Sequence, residues 1–180
     1  MINIVGSTSL TFDFPADLPI SFKYYSDLSH ILHYLPHISI VKKHTDDQYR
    51  MLYRTTELSI YRVKVFCDIQ VISEWDTHTL SIRPLNNSVK PVKSRAGLYS
   101  LTGQGYYSSQ TKFQADGNQT KIDYSLKLHS ELPVPLSLRL MPENLLNNIA
   151  GSITNWRIRE IADGFIKKSI ATYQMSRSAE

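Results

Sequence analysis

The chain has 180 residues, 42% of them hydrophobic and 20% charged, a composition that suits one ordinary domain, residues 1–180, with a core of its own. Its formal charge of +4 comes from Lys and Arg scattered along the chain instead of gathered in a block, so no nucleic-acid partner is implied. A single cysteine excludes an internal disulfide framework and a four-cysteine metal site, and no run approaches the roughly 20 apolar residues of a membrane span.

The N-terminal MINIVGSTSLTFDF has neither the basic start of a signal peptide nor the Arg/Ser-rich character of a transit peptide, so the protein is expected to act where it is made. Within it, residues 8–14 alternate Leu10, Phe12 and Phe14 with Ser9, Thr11 and Asp13, which predicts a strand with one buried face, stopped by Pro15. Helix-start signals follow at Asp17 and at Ser26 or Asp27. Ile20, Tyr24, Leu28, Ile31 and Leu32 recur at three- and four-residue steps, predicting two short helices in tandem that end at Pro36.

From Ile38 the period changes to two. Ile38 and Ile40 lie in one strand, and Tyr49, Met51, Tyr53 and Thr55 share a face of the next, after a turn at Thr45-Asp46-Asp47. Leu58 to Ile72 alternates most cleanly, with Tyr61, Val63, Val65, Cys67, Ile69 and Val71 on one side and Arg62, Lys64, Asp68 and Gln70 on the other. A turn at Trp75, which should be exposed, leads to a strand with Leu80 and Ile82 that ends at Pro84. Residues 86–97, NNSVKPVKSRAG, read as a connection with a basic edge. A last hairpin turns at Asp116-Gly117-Asn118, with Tyr107, Thr111 and Phe113 on one parity and Ile122, Tyr124, Leu126 and Leu128 on the returning strand.

The stretch from Pro142 to about Tyr173 is the one long segment at helical spacing. Its first apolar run, Leu146, Ile149, Ile153 and Trp156, lies about a third of a turn or more from the second, Ile158, Ile161, Ala162 and Phe165, so the helix must be gripped on different sides along its length. The order is therefore a strand, two short helices, about six antiparallel strands and one long helix. The predicted class is α+β, a curved antiparallel sheet of about seven strands whose concave face the C-terminal helix covers only in part, leaving space between them.

Most chemistry-bearing residues have a plainer explanation. Cys67 sits among alternating apolar residues and reads as an inert buried thiol. His30, His33 and His37 cluster with Asp27, but this spacing gives at most two ligands on a face, so no metal site is expected, and Asp27 reads as a helix cap. His129, a possible cavity acid or base, falls on the outward parity of its strand. Gly103 and Gly105 lack the third glycine and the strand-to-helix context of a dinucleotide fingerprint, so no cofactor is expected, and close backbone packing explains them better. No catalytic residue is assigned.

With its helix pair leading through Leu-Pro into a strand, PADLPISFKYYSDLSHILHYLPHISIVKK, together with the closing helix, resembles the START-like helix-grip (SRPBCC) superfamily of polyketide cyclases, pollen-allergen proteins, hormone receptors and lipid-transfer domains. More narrowly, SDLSHILHYLPHI, TKIDYSLKLHSELPVPLSLRLMPENLL and NWRIREI resemble a subfamily without an assigned activity, found in cyanobacteria and encoded in red-algal plastid genomes. Ile-, Tyr- and Lys-rich usage accords with such a genome. The resemblance implies a helix-grip fold with a cavity, no catalytic residues, and residence in the plastid stroma or the cyanobacterial cytoplasm.

The expectation that follows is non-catalytic binding or transport of an apolar small molecule, a lipid, isoprenoid or pigment, in a cavity lined by Met51, Tyr53, Val65, Tyr107, Tyr124, Ile149, Ile153 and Trp156. A structural or assembly protein with a filled core is the alternative, and a cyclase-like enzyme the third reading. Lys90, Lys93 and Arg95 could add weak contact with an anionic membrane surface, at about 1 kcal/mol for each basic residue.

Overall fold

A computed structural model describes residues 1–85 and 90–178. Strand β1 runs Ile2–Phe14 and so begins well before residue 8. Its inward parity passes through Gly6 and Thr8 between Ile4 and Leu10, and those two small or polar residues hide the alternation. A Cβ on Gly6 would meet Ile158 Cδ1 at 2.3 Å and Thr154 Cγ2 at 3.0 Å, so the gap in the apolar pattern is the seat of the C-terminal helix. The outward residues Ser9, Thr11 and Asp13 are exposed.

The tandem helices are α1 (Leu18–Ser26) and α2 (Leu28–Ile31), the latter continued by a 3-10 turn at Leu32–Tyr34. Asp17 caps α1 by accepting from Ile20 N, and Asp27 caps α2 by accepting from His30 N and Ser29 Oγ. The Ser29 hydroxyl and the His30 amide hold the Asp27 carboxyl below the usual carboxylate range, against the opposing effect of partial burial.

Strands β2 (Ile38–Lys43), β3 (Gln48–Glu57), β4 (Tyr61–Glu74), β5 (Thr79–Pro84), the two-residue β6 (Arg95–Ala96), β7 (Ser100–Asp116) and β8 (Gln119–Leu132) complete the sheet. The order is β1-β8-β7-β5-β4-β3-β2, with β1 at one edge and β6 paired to β7. Gly117, at φ 59°, stands at the first central position of the β7–β8 hairpin, where a tight turn needs a positive φ.

One pairing departs from the expected meander. β4 residues 62–67 run parallel to β7 residues 100–105, because β5 is short and separates β4 from β7 only along their later halves. Gly103 and Gly105 lie on this parallel ladder. A Cβ on Gly105 would come within 2.7 Å of Val65 Cγ1 and 3.1 Å of Cys67 Sγ, so Gly105 lets β4 side chains fold across bare backbone, while Gly103 makes room for Leu132 of β8.

The C-terminal helix α3 spans Glu143–Ser178. Its second half packs on an aromatic cluster that fills one end of the molecule. There Phe14 lies 4.7 Å from Tyr173, 5.3 Å from Tyr24 and 5.1 Å from Tyr25, between ring centroids. Phe22, Phe113 and Phe165 extend the cluster, and Ser169 ties the helix down through the hydroxyls of Tyr25 (to its Oγ, 2.9 Å) and Tyr24 (to its carbonyl, 2.9 Å). Trp75 is exposed, as its turn position suggests, although its ring packs edge-to-face with Phe22, centroids 4.7 Å apart.

On the convex side of the sheet, Arg62 and Lys64 reach solvent and Asp68 does not. Its carboxylate is buried under a bidentate Arg50 (2.7 and 2.8 Å), and Arg50 also donates to the Lys90 carbonyl at 2.8 Å. Parity shows which way Asp68 points, but its cover comes from Arg50 and from His44, whose Nε2 lies 3.5 Å away, which alternation within β4 cannot reveal. Asn86 to Val89 of the expected basic connection lie outside the described residues.

Candidate ligand-binding cavity

The end of the molecule opposite the aromatic cluster is not filled. Between the first half of α3 and the concave face lies a cavity of about 200 Å³ with an almost wholly apolar wall. The sheet contributes Met51, Tyr53, Val65, Tyr107 and Tyr124, and the helix contributes Ile149 and Ile153, so seven of the eight residues expected around the space border it. Leu126 and Leu128 also line it, from a strand whose inward parity was legible, as does Ile4, from the early part of β1 where the alternation is hidden.

Trp156 does not border the cavity. It is 57% exposed, with the Arg157 guanidinium 4.3 Å from its ring centroid. At about 100° per residue, Trp156 stands about 60° from Ile153 on one side, whereas Arg157 and Thr154 stand about 40° and 100° away on the other. The buried arc follows Thr154, Arg157, Ile158 and Ile161 and leaves the indole outside. An apolarity stripe misleads here because the residue that turns inward is an arginine.

Arg157 turns inward because a carboxylate awaits it. Its Nε and Nη2 donate to the two oxygens of Glu57 at 2.9 and 3.1 Å, and Nη1 donates to Glu160 at 2.6 Å. Tyr53 Oη donates to Glu57 at 3.3 Å, and His37 Nε2 lies 3.5 Å from Glu160. One cation thus faces two carboxylates, of which Glu57 is on the cavity wall and Glu160 lies outside it. Burial alone would lower the Arg157 pKa, but hydrogen bonds to Glu57 and Glu160 raise it above its ordinary value, so it stays charged at any ordinary pH. Two signals could have found this pair: Glu57 follows Tyr53 and Thr55 on one parity of β3, and Arg157 continues the i, i+4 row from Ile149 and Ile153.

The other polar feature is a pair of phenols. Tyr107 and Tyr124 bring their hydroxyls to 2.7 Å, and burial raises both pKa values, so both remain protonated. Cys67 also borders the cavity, its thiol pushed up to about 12 by burial, which leaves it unreactive. The histidines do not converge: His30 hydrogen-bonds Tyr34 Oη through Nε2 at 3.0 Å, His33 is exposed, and His37 faces Glu160. Among the described residues no group of three or more His, Cys, Asp or Glu side chains could hold a metal. His129 lies outside, stacked on Tyr106 with ring centroids 6.1 Å apart.

A mouth is marked by Leu58, which both borders the cavity and is 60% exposed. Ile60 follows it in the β3–β4 turn, Leu98 and Tyr99 precede β7, and Leu136 and Leu140 flank Leu138, which borders the cavity too. Ile60, Leu98, Tyr99, Leu136 and Leu140 are exposed, Leu140 fully so. Hydrogen bonds from Leu136 N to Gly97 O and from Ser137 N to Leu98 O hold two of these segments together, and the Tyr61 and Tyr99 rings pack 5.9 Å apart.

A curved, mostly antiparallel sheet that holds one long C-terminal helix, with short helices after the first strand and an apolar space between helix and sheet, is a helix grip of the START type. Solved structures share it across most of the chain. A conserved protein from Geobacillus kaustophilus matches at a TM-score of 0.56 and 11% identity, covering 97% of this chain and 97% of its own. A protein from Thermus thermophilus matches at 0.54 and 13%, covering 92% and 98%. The ZhuI aromatase/cyclase from a Streptomyces species matches at 0.52 and 7%, covering 92% and 93%. At these identities the likeness is one of fold. No protein-family model matches the chain, and no curated protein matches it in sequence.

Proposed function

We propose that the protein is a non-catalytic binder or carrier of an uncharged apolar small molecule held between α3 and the sheet. The observation that carries this reading is the cavity itself: about 200 Å³ of apolar space left open in a chain whose other end is packed solid. A void of about 150 Å³ already takes up benzene. This space therefore suits a one- or two-ring molecule or the end of an isoprenoid, lipid or pigment whose remainder passes Leu58. Arg157 is already neutralised by two carboxylates, which disfavours an anionic guest beside it. The proposed setting is the plastid stroma or the cyanobacterial cytoplasm, supported by the subfamily resemblance. Mass spectrometry of protein purified under non-denaturing conditions is the test. Retained mass that disappears on denaturation is expected; an empty protein that also fails to bind cumene or acetophenone would favour the filled-core, protein-binding reading instead.

We further propose that the guest is exchanged with an anionic membrane surface, through the mouth more than through the basic connection. Lys90, Lys93 and Arg95 would contribute together about 3 kcal/mol. Fully burying even two of the exposed Leu58, Ile60, Leu136 and Leu140 would contribute roughly as much, at about 1.5–3 kcal/mol each. Arg62, Arg95 and Arg139 are exposed near this rim and complement lipid phosphate. Sedimentation with phosphatidylcholine/phosphatidylserine vesicles should show binding that Leu58→Asp with Leu140→Asp abolishes and that Lys90→Ser with Lys93→Ser reduces by no more than about thirtyfold. The reverse ranking would move the contact to the basic connection.

A further inference from the structure

The phenol pair has one proton more than it can use. Two hydroxyls carry two O–H donors, and the bond between Tyr107 and Tyr124 consumes one. Ser109, two residues from Tyr107 on the same face of β7, brings a third hydroxyl close by, and a hydroxyl adds a donor as well as an acceptor. Among the described residues neither tyrosine hydroxyl donates to a carbonyl or carboxylate. The only acceptors within reach of the pair are thus hydroxyls, so an O–H can turn to a guest oxygen, in a wall that is mostly hydrocarbon and whose charged groups are Glu57 and Arg157. The pair also sits deep: about 20 Å of strand separates Tyr107 from Leu101, near the mouth.

Resting on the carrier reading above, we infer that the guest is an uncharged molecule with an oxygen acceptor, a ketone, aldehyde, quinone or ether, at the end that enters first, and that Tyr107 and Tyr124 donate to that oxygen. Glu57 and Glu160 around Arg157 select against a carboxylate, and the phenols select for an acceptor over a plain hydrocarbon. Burial keeps both phenols protonated, so this selection persists unchanged from about pH 6 to about pH 9.

Acetophenone and cumene have the same number of heavy atoms and nearly the same shape, and only the first has an acceptor. Titration followed by calorimetry should show acetophenone bound about tenfold tighter than cumene, the scale of one net hydrogen bond. Benzoate should bind at least a hundredfold more weakly than acetophenone. Tyr107→Phe with Tyr124→Phe should erase the preference while cumene still binds. In the unaltered protein, the carbonyl stretch of bound acetophenone should fall below its value in cyclohexane, a readout that stands even if the double variant folds poorly. Cumene binding as tightly as acetophenone, or a carbonyl stretch at the cyclohexane value, would overturn the inference and leave the carrier reading intact. Benzoate matching acetophenone would overturn its uncharged part. Failure of both neutral probes to bind would end the carrier reading and this inference together.

Discussion

Phe14→Ala is expected to lower stability by about 3–5 kcal/mol, the usual cost of deleting a fully buried phenylalanine, and to lower Tm by on the order of 10 °C. Its ring has no exposure and joins three elements, touching Tyr24 and Tyr25 of α1 and Tyr173 of α3 from the end of β1. Around it Tyr24 and Tyr25 also bond Ser169, so the void would loosen the grip on the helix as well as remove contacts. Phe14 does not border the cavity, so acetophenone should bind the variant unchanged at temperatures where it is folded. Trp156→Ala, a larger deletion on the same helix, should cost within about 1 kcal/mol, since its main partner is the Arg157 guanidinium. Urea unfolding of both variants checks the contrast. A Phe14→Ala loss below about 1 kcal/mol would mean that the aromatic end is not the anchor of the fold.

That contrast also shows how far the sequence could be read. Alternation in β3, β4, β7 and β8 was strong enough to assign inward faces, and the inward faces of a bent sheet are what a cavity is built from. Met51, Tyr53, Val65, Tyr107 and Tyr124 were therefore legible as wall residues, as were Ile149 and Ile153 on the helix that covers them. Other features depend on partners far apart in the chain. The inward turn of Arg157 is set by Glu57, a hundred residues earlier, and the burial of Asp68 by Arg50 and His44. The parallel contact of β4 with β7 depends on the shortness of β5, and the early start of β1 is masked at Gly6, where the helix crosses. At Trp156 the local pattern gave the wrong direction, because the arginine beside it turns inward; in the other cases a long-range contact decided what the local pattern could not show.

Two of those legible residues supply the decisive test of the cavity. Val65 projects from the sheet and Ile153 from the helix above it, so Val65→Phe with Ile153→Trp would place two aromatic systems in a space of about 200 Å³. The room left would fall well below the roughly 150 Å³ of a void that takes up benzene. Losing roughly 3 kcal/mol of apolar burial corresponds to about a hundredfold, and acetophenone affinity should fall by at least that factor. The new bulk enters open space and not a packed core, so stability should change by no more than the roughly 1–3 kcal/mol that overpacking commonly costs. Vesicle sedimentation should be unaffected, because Leu58, Ile60 and Leu140 are untouched. If the double variant folds and binds acetophenone as the unaltered protein does, the guest sits at the exposed rim and not between helix and sheet.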